Sequence, residues 1–154
     1  MTIAFAAALA VIGVGETSAD AGRDACGPKT EGGVTVRTWC GPAKASVTWN
    51  GRTMTIKGGS CELVDYEGVK AFTVNTGRYT VPPAKPRATA FSAAGSDTKP
   101  GTYGGWLINW QTPGKQWIVA ARGLEVKILA KGARRGSFTG RIDTGGKVRG
   151  SWTC

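Results

Sequence analysis

From residue 34 to the C-terminus, hydrophobic and polar residues alternate in short stretches separated by glycine-rich turns. That period of two is the pattern of half-buried β-strands, not of helices. The clearest unit is residues 45–57, two alternating runs around Asn50-Gly51, the dipeptide that best fits a two-residue hairpin turn. With that turn, Trp49 faces Arg52, Val47 faces Met54 and Ala45 faces Ile56. Ser46, Thr48, Thr53 and Thr55 then share the opposite face. A second hairpin is expected over residues 106–121 around Pro113-Gly114, with Trp110 opposite Trp117 and Ile108 opposite Val119. A Pro-Gly turn matches strand twist less well than Asn-Gly, so its register is less firmly set. Further strands are expected at 34–39, 71–76, 124–130, 137–142 and 147–154. The fold class that follows is all-β, an antiparallel sandwich or open barrel of about seven to eight strands.

Two segments break the pattern. Residues 82–104 are rich in Pro, Ala, Ser and Gly, and Pro82, Pro83, Pro86 and Pro100 would interrupt a strand ladder, so a long surface loop within one domain is expected. Residues 1–14 are an almost uncharged apolar run, followed by Ala19-Asp20-Ala21, which reads as a secretory signal (1–21) with an A-x-A cleavage site. The run is shorter than the roughly 20 residues a membrane-spanning helix needs, and no transmembrane segment is expected. The exported part, residues 22–154, is then a single β domain.

Composition narrows the chemistry. The 154 residues include 20 Lys plus Arg against 10 Asp plus Glu, no His, four Cys and 24 Gly. Without His, the commonest general base, the usual partner of a Ser or Cys nucleophile and the commonest nitrogen ligand for metals are missing. Four cysteines in an exported chain imply two disulfides among three connectivities. The expected pairs are Cys26 with Cys40, closing a short loop with two Cys-Gly-Pro tripeptides, and Cys61 with Cys154, tying the C-terminus to an early strand. There is no C-x-x-C pair, so no metal site and no cofactor is expected.

Acidic residues cluster only at Glu62, Asp65 and Glu67. Used as catalysts they would define a small extracellular hydrolase, which needs two carboxyl groups converging on one bond. The segment reads instead as a strand end entering a solvated turn, and no catalytic residue is assigned.

Basic residues are more informative. If the last two strands alternate, Phe138, Ile142, Val148 and Trp152 point inward, and Arg141, Lys147 and Arg149 point outward with Ser137, Thr139, Ser151 and Thr153. With Arg134 and Arg135 they form a cationic face able to attract an anionic polymer or cell-envelope component, without sequence-specific nucleic-acid recognition. The same charges would also serve a solubilising surface with protected strand edges. Exposed edges pairing between copies would make a structural, self-assembling protein; the sequence itself sets no oligomeric state. Tyr103, Trp106, Trp110 and Trp117 form either an exposed platform that stacks sugars or an aromatic layer of the core, and Ile108 and Val119 on the same face favour the core.

The run VTWNGRTMTIKGGSC (47–61), then FTVNTG (72–77), GSFTG (136–140) and the ending VRGSWTC (148–154) resemble the mycobacterial LpqH-type lipoprotein antigens. The resemblance implies a small exported β domain at an actinobacterial cell surface, a bridge from Cys61 to Cys154 and no known enzymatic activity. The chain departs from that family where Cys26 follows Arg23-Asp24-Ala25 in place of a lipobox. A secreted form is therefore expected in place of a lipid-anchored one.

Overall fold

In the computed structural model, which describes residues 26–154, Asn50 and Gly51 take φ of 47° and 72°, the left-handed pair that a type I′ turn requires. The strands Lys44–Trp49 and Arg52–Lys57 meet across this turn in the expected register, Trp49 with Arg52, Val47 with Met54 and Ala45 with Ile56. The Pro113-Gly114 turn also gives the expected pairing, Trp110 with Trp117. Donation from Val119 N–H to the Ile108 carbonyl (2.9 Å) extends it. The expected signal segment lies outside the described residues.

The described residues form thirteen strands in two antiparallel sheets facing each other as an open sandwich, not a closed barrel. The first sheet holds β1 (Gly27–Glu31), β2 (Val34–Thr38), β6 (Val69–Thr80), β7 (Ala90–Gly95), β9 (Leu107–Thr112) and β10 (Lys115–Ile118) in that spatial order, and β5 (Gly59–Tyr66) also pairs with β6. The second runs β4 (Arg52–Lys57), β3 (Lys44–Trp49), β13 (Lys147–Thr153), β12 (Arg135–Arg141), β11 (Glu125–Ile128) and β8 (Gly101–Tyr103).

Large rings from both sheets fill the space between them. Phe91 stacks on Phe138 with centroids 5.9 Å apart, and Trp106 on Trp152 at 5.3 Å. Glycines make room for these rings: a Cβ on Gly136 would collide with Trp152, and one on Gly150 with Phe138. The Trp152 indole N–H donates to the Ala133 carbonyl at 2.9 Å, which removes the cost of burying a polar atom. Both expected disulfides are present, Cys26–Cys40 and Cys61–Cys154. The second joins β5 of the first sheet to the residue after β13 of the second, and its 93-residue separation is worth about 4.6 kcal/mol in the chain-entropy model.

The expected loop over residues 82–104 is corrected. Within it, β7 lies between β6 and β9 near the middle of the first sheet, with Ala90, Phe91 and Ala93 buried, and β8 forms an edge of the second. The four prolines flank residues 90–95 and interrupt nothing. The small side chains that imitate loop composition are demanded by packing, since a Cβ at Gly95 would meet the Trp106 ring. The strand count also rises above the expected seven to eight, because β1, β5, β7 and β8 carry weak alternation or few bulky residues.

Candidate functional site

The outer face of the second sheet is built by alternation and register. One row across it reads Thr55, Ser46, Ser151 and Ser137, and the next Thr53, Thr48, Arg149 and Thr139. Short hydroxyl side chains suit adjacent strands, and one pair, Thr48 and Thr53, is hydrogen-bonded at 2.8 Å. Beyond Arg149 the last rung pairs Arg141 directly with Lys147. At the other end of the face Lys44 pairs directly with Lys57. Like charges placed directly opposite each other on neighbouring strands destabilise a sheet, and this face holds two such pairs.

The Arg141 end is shaped by two connections. The β12–β13 turn closes with Ile142 N–H donating to the Gly146 carbonyl (3.1 Å) and Gly145 N–H to the Ile142 carbonyl (2.8 Å). The chain leaving β10 crosses to β12, where Ala120 N–H donates to the Arg141 carbonyl (2.7 Å) and Val119 bridges Ile142. That crossing delivers Arg122-Gly123 beside the sheet. Between this segment and the Asn50-Gly51 turn lies a cleft of about 790 Å³, crossing β3, β13 and β12 and lined by Arg122, Arg141, Lys147 and Arg149 together with Thr48, Thr139 and Trp49. No carboxylate lines it. Among the described residues one ion pair is present, Arg78 with Glu31 at 2.8 Å on the first sheet, so the four cleft cations carry uncompensated charge. In a concave, partly apolar site such charges focus the field outward toward an anion.

Of the five cations singled out in the sequence, Arg141, Lys147 and Arg149 come together here. Arg134 and Arg135 do not. They sit at the other end of β12, about 20 Å away at the usual rise per residue, where Arg135 faces Thr153 and Arg134 lines a depression beside Cys61 and Cys154. Arg122 joins the cleft through the β10–β12 crossing, a non-local contact with no local sequence signal.

The aromatic platform is not formed. Trp106 and Trp110 are buried, 1% and 0% exposed. Trp117 is half-buried against Trp49 and Trp110, with centroids 6.0 and 5.9 Å apart, and Lys115 Nζ covers it at 3.9 Å. Tyr103, also half-buried, donates its hydroxyl to the Lys99 carbonyl at 3.0 Å. These rings belong to the sandwich interior or its margin, and Trp106 and Trp110 share their buried face with Ile108.

Glu62, Asp65 and Glu67 are exposed on β5 and the β5–β6 turn, where Asp65 accepts a hydrogen bond from the Gly68 N–H at 2.9 Å. The carboxylate thus serves to close the turn. Among the described residues no three His, Cys, Asp or Glu side chains gather as a metal group would require, and no helix is long and apolar enough to cross a membrane. No family model, curated protein or solved structure matches the chain.

Proposed function

We propose that the protein is an exported binding module that holds an anionic polymer of the cell envelope against the outer face of its second sheet. Arg122, Arg141, Lys147 and Arg149 grip the anionic groups, and the flanking rows of Ser and Thr hydroxyls hydrogen-bond the polymer backbone. The observation that carries this reading is the cleft itself, four cations with no acidic wall, one pair of them set directly across two strands. Export is supported by the two disulfides, which persist in oxidising compartments, and by the resemblance to surface-exposed lipoprotein antigens. Covalent chemistry plays no part in this role.

Titration with long-chain inorganic polyphosphate, followed by fluorescence at several salt concentrations, tests it. Binding is expected to weaken steeply with salt, as counterion release dictates for polyanions. The triple variant Arg141→Ala, Lys147→Ala, Arg149→Ala is expected to lower the log–log salt slope by about two to three, by analogy with phosphate contacts in nucleic acids. Absence of binding at low salt, or an unchanged slope in the variant, refutes the proposal.

A further inference from the structure

The outer face of the first sheet carries a second depression, of about 270 Å³, unrelated to the cationic cleft. Its floor is one register row across three central strands: Asn75 of β6, Ser92 of β7 and Asn109 of β9. Its wall is aromatic. Trp39 follows β2 and Tyr79 lies on β6, their rings tilted at 55° with centroids 5.8 Å apart, and the Arg37 guanidinium stands 5.8 Å from the Trp39 ring centroid. The main chain at Trp39 is anchored by its backbone N–H, which donates to the Gly77 carbonyl at 3.0 Å.

The floor is short, neutral and rich in hydrogen-bonding groups. Ser92 donates its hydroxyl to Asn75 Oδ1 at 2.8 Å, so that pair is locked in orientation. Asn109 differs: its Oδ1 is buried with no hydrogen-bond partner, although the residue lines the depression. A buried acceptor left without a donor costs free energy, which a ligand hydroxyl recovers once the side chain turns that oxygen into the depression. An amide offers both an acceptor and two donors in one plane, which suits a pair of vicinal hydroxyl groups. The wall is built of electron-rich aromatic rings, which suit the C–H-bearing face of a pyranose. The volume accommodates one such ring, and no carboxylate lines the site.

We propose that this depression is a saccharide subsite that takes a single neutral hexopyranose unit, stacked on Trp39 and Tyr79 and hydrogen-bonded to Asn109. It is independent of the anionic-polymer reading. The two sites lie on opposite outer faces of the sandwich, so either can be occupied while the other is empty. A polymer of charged groups bearing pendant neutral sugars would engage both, but each is testable alone.

The test is saturation-transfer NMR of the disulfide-bonded protein with the methyl pyranosides of glucose, mannose and galactose. Transfer is expected to at least one of them, strongest at the hydrogens of one ring face, and to be lost in Trp39→Ala while Trp39→Phe retains part of it. Asn109→Leu removes the orphaned acceptor without stranding a partner, so it is expected not to lower the melting temperature and to weaken sugar binding roughly three- to tenfold. Trp39→Ala is expected to leave the polyphosphate titration unaffected, which separates failure here from failure of the cationic cleft. Absence of transfer to all three sugars, transfer undiminished in Trp39→Ala, or Trp39-dependent binding of adenosine but of no sugar overturns the proposal.

Discussion

Lys147→Glu puts stability and binding in opposition. In the native sheet Lys147 stands directly across from Arg141, and Arg149 lies two residues along the same face. Cross-strand charge pairs contribute about 0.2–1 kcal/mol, favourable for opposite signs and unfavourable for like signs. Replacing a like pair by an opposite one therefore changes stability by about 1 kcal/mol within a range of roughly 0.4–2. For a domain of this size that is about 3–5 °C in melting temperature, upward. The gain is electrostatic between exposed groups, so it should be largest near 0.01 M salt, where the Debye length is about 30 Å, and vanish near 1 M, where it is about 3 Å. Near-ultraviolet circular dichroism is a suitable monitor, because Trp106, Trp110 and Trp152 are fully buried and report loss of packing. The same variant should bind polyphosphate at least tenfold more weakly, since it removes one cation and places an anion in the cleft. Lys147→Arg should change neither property. A Lys147→Glu protein that is less stable at low salt, or whose extra stability persists at 1 M, would show that the pair is not in the repulsive contact described.

Phe91→Ala tests the placement of β7: with Phe91 0% exposed and stacked on Phe138, chemical denaturation should show a loss of about 3–5 kcal/mol, whereas a surface-loop position would cost under about 0.5 kcal/mol. Replacing Cys61 and Cys154 together by Ala should cost more than replacing Cys26 and Cys40, about 4.6 against about 3 kcal/mol by loop length. Urea midpoints of the two double variants check the order, and equal losses would argue that the cross-sheet bridge closes no effective loop.

The parts of the fold legible in the sequence are those fixed by local chemistry. Asn50-Gly51 sets its hairpin because only residues tolerant of positive φ make that turn, and the alternation on either side agrees with it. Residues 137–142 and 147–154 were readable for the same reason, since bulky inward positions alternate with polar outward ones. Residues 90–95 were not readable: Ala, Ser and Gly are required there to accommodate rings such as Trp106, and small residues carry no amphipathic signal. The cleft was legible only in part. Arg141, Lys147 and Arg149 share one hairpin, whereas Arg122 arrives through the isolated bridge of Val119 with Ile142, just beyond β10 and β12, and the Asn50-Gly51 wall through the long-range pairing of β3 with β13. The Trp39–Tyr79 wall likewise depends on β2 pairing with the far end of β6, where Arg37 meets Tyr79.

The position of the charges within the sheet favours the proposed binding face over a merely solubilising one. Lysines and arginines that protect a sheet from aggregation belong on its edge strands, where unpaired N–H and C=O groups are open to other chains. In the second sheet the edges are β4 and β8, and the cleft cations Arg141, Lys147 and Arg149 sit on β12 and β13, the two central strands. Edge protection gives no reason for them there. A surface tuned only for solubility also intersperses the two signs, yet Glu125 and Asp143, the acids nearest in sequence, stay outside the cleft and form no ion pair with its cations. Hydroxyl rows beside the cations keep the face flat and rich in donors, which a long polymer can lie against. Central placement, directly opposed like charges and absent acids each carry a stability cost that solubility does not require, and an anion seated across Arg141 and Lys147 would relieve it.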